Sequence, residues 1–284
     1  MKNIGISSYR SRGGNAVIFF LLLIAGLFMA IPMIFVISNA FKPVNELFIF
    51  PPKLLPMRYT FDNFRDLGSL LGDSWLPFSH YVFNSVFITV AGTVGNIIIC
   101  SMAAYMMSKH RFPGHAILFR IVVISLLFSG SVTAMPSYII STRIGLVNNY
   151  WALFVPALAS PMGLFLMKQF MDQMVPDTLI EAVRLDGGGE GTIFLRVVMP
   201  IVKPAWLTLC IFAFQTMWGA TGGALIFDEN LKTLPTALAN IMSGGIARTG
   251  VASTVSLLLI LPPVTVFLLT QSNVMQTMST SGIK

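Results

Sequence analysis

Six long stretches of this chain carry no Asp, Glu, Lys or Arg, and they constrain its fold more than any other feature. They are residues 13–41, 74–108, 121–142, 144–167, 204–227 and 249–283. Each exceeds the roughly 20 apolar residues that a helix needs to cross a bilayer, and an isolated segment in lipid must satisfy its own backbone hydrogen bonds. The sequence therefore predicts an all-α membrane protein with six transmembrane helices, at about 16–38, 82–107, 118–140, 149–169, 203–221 and 251–271.

The composition agrees with a membrane protein. Of the 284 residues, 55% are hydrophobic and only 10% are charged, whereas a soluble domain carries roughly 25% charged residues. No segment has the composition of a separate soluble domain or of a low-complexity linker. The expected organisation is a short N-terminal segment, 1–15, a six-span membrane domain, 16–271, and a C-terminal tail, 272–284.

The basic residues predict the orientation, because cytoplasmic loops carry an excess of Lys and Arg. They precede the first span, or lie between spans two and three and between spans four and five or at the edges of these spans: Lys2, Arg10, Arg12, Lys109, Arg111, Arg120, Lys168, Arg184, Arg196 and Lys203. The loops on the opposite side mix both signs of charge or are short. Both termini and the loop 172–202 are therefore expected in the cytoplasm, beside the cell (inner) membrane. The net charge of +7 then reflects topology rather than nucleic-acid binding.

Residues 178–204 form a polar segment between the fourth and fifth spans. Thr178 and Glu181 have the spacing of a capping box, in which each side chain satisfies a free backbone N–H. This spacing predicts a short helix over about 179–186. The three glycines 187–189 are expected to end that helix, because glycine accepts the left-handed conformation of a helix C-terminus.

A second helix is predicted from about Glu190, whose charge suits a helix N-terminus. Apolar residues then recur at helical spacing and form one face: Ile193, Phe194, Val197, Val198 and Ile201. Pro200 and Pro204 predict a bend between this second helix and the fifth span.

This helix–glycine–helix segment resembles the cytoplasmic EAA loop of the permease subunits of ATP-binding cassette (ABC) importers. The family pattern is E-A-A, two residues, D-G-A, and a downstream F, I and P. At those places this chain has Glu181, Ala182, Val183, Asp186, Gly187, Gly188, Phe194, Val197, Pro200 and Pro204. It departs from the pattern at Val183, Gly188 and Val197, each a small or conservative change. A generic amphipathic hairpin between two spans is the alternative.

The resemblance implies a lever that an ATPase subunit moves, so that the spans alternate between inward-open and outward-open states. The residues implied to couple to the ATPase are Glu181, Ala182, Val183, Arg184, Asp186, Gly187 and Gly188. Those implied to anchor the lever are Phe194, Pro200 and Pro204. Glu181 is the expected polar contact, and Gly187 gives the turn. Arg184 and Asp186 either pair locally or bind the partner.

The end of the chain carries a looser resemblance. Residues 278–284 read MSTSGIK and resemble the L-T-A-G-A-V-K ending of the smaller, maltose-type permeases of carbohydrate uptake. The resemblance implies a heterodimer with a second permease, two ATPase subunits that bind ATP and Mg²⁺, and an extracellular or periplasmic solute-binding protein. It implies no cofactor on this chain and an oligosaccharide or related sugar as cargo. A polyol or glycerol phosphate is the alternative cargo.

The interior of the spans also predicts a transporter that receives its work from a partner. No Asp or Glu lies inside a predicted span, whereas ion-driven carriers keep ionisable groups on their pathway. The chain has no G-x-x-x-x-G-K-[ST] phosphate loop, so no ATPase site of that kind is expected. No grouping of side chains indicates an enzyme or a metal site. A six-span scaffold or a channel is the alternative from another class.

Polar side chains inside the spans are candidates for the solute pathway: Asn84, Asn96, Ser129 and Gln215. Each is able to hydrogen-bond a hydroxylated solute. Hydrogen bonding between helices is the alternative for each of them, because that is the common use of such residues in membranes.

Overall fold

The computed structural model describes residues 12–72, 76–242, 245 and 248–281, without side chains for 12, 13 and 272–281. Every regular element within these ranges is helical, which confirms the all-α prediction. The α-helices are α1 (Arg12–Ala40), α2 (Val44–Leu47), α3 (Asp62–Gly72), α4 (Phe78–Lys109), α5 (His115–Ser125), α6 (Gly130–Arg143), α7 (Trp151–Leu158), α8 (Pro161–Met174), α9 (Asp177–Leu185), α10 (Glu190–Thr192), α11 (Met199–Ile201), α12 (Lys203–Trp218), α13 (Leu234–Met242) and α14 (Thr249–Ser281). A π-helix, Ile193–Val198, joins α10 to α11. Two 3₁₀ turns, Gly223–Leu225 and Glu229–Leu231, lie between α12 and α13.

Three helices are long and apolar enough to cross a membrane alone, by length and composition: Gly14–Ala40, Phe78–Lys109 and Thr249–Gln271. Three pairs of helices pass the same test only together, and each pair is bent at a short break. The described part of the chain therefore contains three to six spans. The predicted spans 16–38, 82–107 and 251–271 lie inside α1, α4 and α14.

The other three predicted spans are not single straight helices. A 116° bend separates α5 from α6 within 118–140, and a 40° bend separates α7 from α8 within 149–169. The span predicted at 203–221 follows an 81° bend after Ile201, and its helix ends at Trp218. Hydropathy alone predicted three continuous helices here because it records apolar length and not backbone conformation.

Pro161 explains the break between α7 and α8. Proline has no N–H to donate to the carbonyl four residues earlier, and it disfavours the helical conformation at the residue before it. Ser160 accordingly has φ −108° and ψ 94°. The carbonyl of Ala157 accepts instead from Asn96 Nδ2, at 2.6 Å. The Ser160 hydroxyl oxygen begins α8 by accepting from the Gly163 N–H at 3.1 Å.

The chain divides into two compact units. The first takes in the described residues of Met1–Leu70 and Gly244–Leu258, and the second those of Leu71–Ser243 and Leu259–Lys284. In the first unit, the amide nitrogen of Asn63 is buried and donates to the carbonyls of Ala40, at 3.1 Å, and Lys42, at 2.7 Å. This amide therefore holds the segment that follows α1 against the start of α3.

In the second unit, α4 is the central helix and packs against α7, α8 and α12. Its C-terminal half belongs to an apolar core built from α4, α8, α9, the π-helix and α12: Cys100, Ala104, Tyr105, Met167, Met171, Val175, Ile180, Ile193, Val198, Val202, Ala205 and Leu209. Because α9 and the π-helix contribute to this core, the segment between α8 and α12 is packed against the spans.

Candidate functional site

The first helix of the loop, α9, starts at Asp177, with Pro176 before it and no side-chain cap. The predicted capping box of Thr178 and Glu181 is therefore wrong. The helix start is instead tied to α4 by Lys109, whose Nζ donates to Asp177 Oδ1 at 2.9 Å and to the Val175 carbonyl at 2.6 Å. The hydrogen bond and charge of Lys109 hold the pKa of the Asp177 carboxyl below its usual value.

The end of α9 is closed by glycine, as predicted. Gly187 has φ +83°, which only glycine adopts at little cost. Its N–H donates to the Arg184 carbonyl at 3.0 Å, and the Gly188 N–H donates to the Val183 carbonyl at 2.8 Å. This is the hydrogen-bond pattern of a Schellman motif. A Cβ on Gly188 would lie only 2.6 Å from Val183 Cγ1. Gly188 and Val183, which both depart from the family pattern, are therefore close neighbours.

The outward face of α9 carries most of the residues implied to couple to an ATPase. Glu181, Ala182 and Asp186 are exposed, and Leu185 beside them is 89% exposed. Ile180 faces the opposite way and is only 4% exposed. The helix therefore presents a mixed polar and apolar surface while its other side is fixed in the core.

The carboxylate of Glu190 joins this loop to α4. From the sequence, Glu190 was expected only to suit the N-terminus of a helix. Glu190 Oε1 accepts from Arg184 Nη2 at 2.7 Å, and Glu190 Oε2 accepts from the Tyr105 hydroxyl at 2.6 Å. His110 Nε2 lies 3.2 Å from the same Oε2. Arg184 thus pairs with Glu190, and the local pair with Asp186 is not formed. We call Glu190 with Arg184, Tyr105 and His110 the Glu190 clamp.

The electrostatics of the Glu190 clamp favour an ionised carboxylate. The hydrogen bond from Tyr105 is the largest influence and lowers the pKa of the Glu190 carboxyl; partial burial opposes it, and Arg184 lowers the pKa further, so that the net shift is downward. The clamp is therefore intact at neutral pH.

The second helix of the loop lies inward of α9. The side chains of Ile193 and Val198 are fully buried, and the ring of Phe194 lies 5.4 Å from that of Tyr105. Pro200 and Pro204 stand on either side of the 81° bend; Pro200 is exposed and Pro204 is buried. The predicted bend is therefore present, with Phe194 and Pro204 packed against the spans.

A cavity of about 720 Å³ opens where the bent pairs meet. Its wall combines the breaks of α5–α6 and α7–α8 with one side of α4 and of α12. The polar residues of the wall are Asn96, Ser125, Thr133, Ser137, Ser160 and Thr216. The space between broken helices is thus lined by hydroxyl and amide groups.

The four candidate pathway residues occupy different places. Asn96 lines the cavity. Ser129 begins α6 between two residues that line it, Phe128 and Gly130. Gln215 is exposed on α12 and is not part of the cavity wall, although its neighbour Thr216 is.

The side chain of Asn84 is held in a buried network of hydrogen bonds. Its side chain is fully buried, and its Nδ2 donates to the carbonyls of Asn230, at 2.8 Å, and Lys232, at 3.1 Å. Its Oδ1 accepts from the Tyr150 hydroxyl at 3.0 Å. One turn away, the Tyr81 hydroxyl donates to Glu229 Oε1 at 2.8 Å. These contacts favour the interhelical alternative for Asn84, because its amide holds the segment 229–232.

Asn148 supports the same loop and was missed by the sequence reasoning. It has φ +54°, and its Oδ1 accepts from the N–H groups of Phe227, at 3.1 Å, and Asp228, at 2.8 Å. The signal in the sequence was an Asn-Asn pair after a helix, because asparagine tolerates the left-handed region and hydrogen-bonds nearby backbone.

Comparisons with known proteins place the chain among transport permeases. It is 30% identical over 228 residues, 80% of this chain and 76% of the relative, to the polygalacturonan/rhamnogalacturonan transport system permease protein YtcP of Bacillus subtilis. It is 30% identical over 234 residues, 80% of this chain and 82% of the relative, to the sn-glycerol-3-phosphate transport system permease protein UgpE of Pectobacterium atrosepticum. No model of a protein family matches the chain.

A solved structure shares the fold. A chain of a bacterial ABC transporter involved in the import of the acidic polysaccharide alginate aligns with a TM-score of 0.74, over 93% of this chain and 98% of that one. The two sequences are 21% identical.

Proposed function

The chain belongs to the permease proteins of ABC transport systems, and we propose that it forms half of the translocation pathway of a binding-protein-dependent importer for oligosaccharides or related sugars. The observation that carries this proposal is the segment 177–201, which is exposed along α9 and tied to α4 at Asp177, where α9 begins, and at Glu190, shortly after α9 ends. A helix held in this way is able to pass an external displacement to the spans.

The proposed topology has six spans and places both termini and the segment 177–201 in the cytoplasm. The pairs α5–α6 and α7–α8 then each form one span. The third bent pair consists of the second helix of the loop, Glu190–Ile201, and the span α12. The basic residues support this orientation, since Lys109, Lys168 and Arg184 all lie on or near the segment, and cytoplasmic loops are rich in Lys and Arg.

The proposed mechanism is alternating access driven by a partner. An ATPase subunit, which supplies the ATP and Mg²⁺ sites, binds the face of Glu181, Ala182, Leu185 and Asp186. When the ATPase dimer closes, α9 moves, and its ties to α4 carry the motion to the helices around the cavity. A second permease completes the pathway, and a solute-binding protein delivers the sugar from the opposite side. This chain itself is a transport subunit and not an enzyme.

The proposal is tested by mutating the exposed face and the turn of α9. Glu181→Lys reverses a charge on the docking face, and Gly187→Pro forbids φ +83°, so both are expected to abolish ATP-driven uptake. Membrane insertion should stay normal, because Glu181 is exposed. Uptake of labelled sugar is measured in cells that express the complete importer, with the amount of inserted protein measured in parallel.

Gly187→Asn is the matched control, because asparagine tolerates the left-handed region. It is expected to keep most of the uptake. Normal uptake by Glu181→Lys would contradict the docking role of α9. Solute flow that persists without ATP would favour a channel.

A further inference from the structure

Among the residues that the structure describes, none in the wall of the cavity between the bent pairs has a charged side chain. We propose that this cavity accepts a neutral, hydroxyl-rich part of the cargo and disfavours carboxylated or phosphorylated solutes. The proposal rests on the function proposed above and narrows its substrate class. It separates this chain from relatives whose names specify polygalacturonan and glycerol 3-phosphate, since the first carries carboxylates and the second a phosphate.

An anion that leaves water for this cavity would find no Lys, Arg or His on the described part of its wall to compensate its charge. Removing an ion from water is unfavourable unless a counter-charge and hydrogen bonds replace its hydration. Helix ends do not take the place of a counter-charge here. Each break brings the C-terminus of one helix (α5 or α7) and the N-terminus of the next (α6 or α8) to the same wall, and these two ends carry opposite partial charges.

Three of the five hydroxyl groups that the structure describes in the wall are oriented as hydrogen-bond acceptors toward the cavity. Ser125 Oγ donates to the Val122 carbonyl at 2.6 Å, and Thr216 Oγ1 donates to the Phe212 carbonyl at 2.9 Å. Thr133 Oγ1 likewise lies 3.2 Å from the carbonyl of Gly130 in its own helix. A hydroxyl has one proton and two lone pairs, so each of these oxygens has lone pairs left for a solute. Lone pairs accept from a sugar hydroxyl and repel a carboxylate oxygen.

The amide of Asn96 is also neutral and already oriented. Asn96 Nδ2 donates to the Ala157 carbonyl at 2.6 Å, and its Oδ1 lies 3.7 Å from Cys100 Sγ, which donates to it. Phe128 and Phe212 are 58% and 47% exposed and provide apolar surface for the C–H faces of a sugar ring. Acceptors beside exposed rings suit a neutral sugar.

The first test measures which cargo the complete importer takes up. The chain is reconstituted in proteoliposomes with its second permease, its ATPase subunits and its solute-binding protein. ATP-driven uptake of a neutral arabino-oligosaccharide is compared with that of an oligogalacturonate and of glycerol 3-phosphate. We expect a neutral oligosaccharide to be transported at least about tenfold faster than either anion. Faster uptake of an anion would overturn the inference while supporting the importer function.

The second test measures how readily the cavity admits an anion compared with a neutral molecule. It does not depend on the cargo. Ser137→Cys is introduced with Cys100→Ala and Cys210→Ala, the two native cysteines being free. The rates of modification by neutral methyl methanethiosulfonate and by the anionic sulfonatoethyl reagent are compared in the assembled importer. The ratio of the two rates on a small neutral thiol in water serves as the reference.

We expect the neutral reagent to be favoured at least about tenfold beyond that reference. A ratio equal to the reference would overturn the inference, because it would show that the cavity does not disfavour an anion. If the proteoliposomes show no ATP-driven uptake of any sugar, the proposed function fails. The modification rates still decide the character of the cavity in that case.

Discussion

Glu190 connects three parts of the second unit through one carboxylate. Its two oxygens accept from Arg184 of α9 and from Tyr105 of α4, and it stands at the start of α10. An exposed ion pair is worth only about 0–1 kcal/mol, and both charged partners here are about half exposed. The importance of Glu190 is therefore positional, because it fixes where the end of α9 lies relative to α4.

The Glu190 clamp is expected to open in acid. The pKa of Glu190 is lowered in the folded protein. Its stabilising contribution is thus fully present above the usual pKa of about 4.3 and is lost as the pH falls through the lower, folded value. Hydrogen exchange of the α9 amides, corrected for the intrinsic rate at each pH, should rise over that acidic window.

Two variants separate this effect from that of Asp177, whose pKa is lowered as well. Glu190→Gln should show faster exchange at the C-terminal end of α9 already at neutral pH, with a smaller acid response there. Asp177→Asn should change only the N-terminal end of α9. An acid response at the C-terminal end that is identical in wild type and Glu190→Gln would exclude the clamp as its cause.

Among the features of secondary structure, the breaks in the helices affect the site most. Each one brings polar backbone into the middle of a span, where it needs a partner inside the protein. At the α7–α8 break, Asn96 provides that partner for the Ala157 carbonyl, which Pro161 leaves free. The same amide therefore lines the cavity and stabilises its wall.

This pairing predicts a non-additive double mutant. Asn96→Ala leaves the Ala157 carbonyl without its donor, and an unsatisfied buried polar group costs about 1–3 kcal/mol. In Asn96→Ala/Pro161→Ala, residue 161 regains an N–H that is able to donate to that carbonyl within a helix. Thermal unfolding in detergent should show a smaller loss for the double mutant than for Asn96→Ala. Strictly additive losses would mean that Asn96 and Pro161 are not coupled through the Ala157 carbonyl.

The elements differ in how well the sequence predicts them. Apolar length was enough to place α1, α4 and α14, and the glycines 187–189 were enough to end α9. The capping box failed because the helix already starts at Asp177, after Pro176, two residues earlier than predicted. Pro161 is visible in the sequence as a helix breaker. The partner that compensates it, Asn96, is 61 residues from Ala157, and no local pattern connects them.

The residues of the candidate site also divide into those that local sequence predicts and those that depend on distant contacts. The exposed residues of α9 follow from motif spacing, because they lie on one short helix. The Glu190 clamp does not, since Tyr105 lies 85 residues before Glu190 and the two meet only through packing of α4 against the loop. Asn84 was a candidate for the solute pathway because it is a polar residue in a predicted span. Its use as a support for 229–232 depends on a contact across about 146 residues of sequence.

In the described part of the second unit, no other element covers most of α6. Every residue of α6 from Gly130 to Ile140 is exposed, including Ser131, whose hydroxyl a lipid environment does not hydrogen-bond. A polar-containing helix of this kind is expected to pack against another protein in the membrane. The second permease is the expected partner.

Co-expression with the second permease should therefore stabilise this chain. The apparent Tm of the purified chain in detergent is expected to rise by at least about 5 °C when the partner is bound, since binding to the folded state alone shifts unfolding. Met135→Trp, at a position 74% exposed on α6, should weaken co-purification without a charge change. Equal Tm values with and without the partner would contradict the role of α6.

The unbroken length of α4 has a consequence for the direction of signalling. Its 32 residues extend about 48 Å, with Tyr81 and Asn84 tied to 229–232 near one end and Tyr105 and Lys109 tied to the 177–201 loop near the other. A coupling free energy between two binding sites is reciprocal by thermodynamic linkage. If docking on α9 changes the affinity of the 229–232 region for a protein by some factor, that protein changes the affinity of α9 for its ATPase by the same factor. In the proposed importer, the arrival of cargo at one end of α4 would therefore affect ATPase binding at the other end as strongly as ATPase binding affects the cargo end.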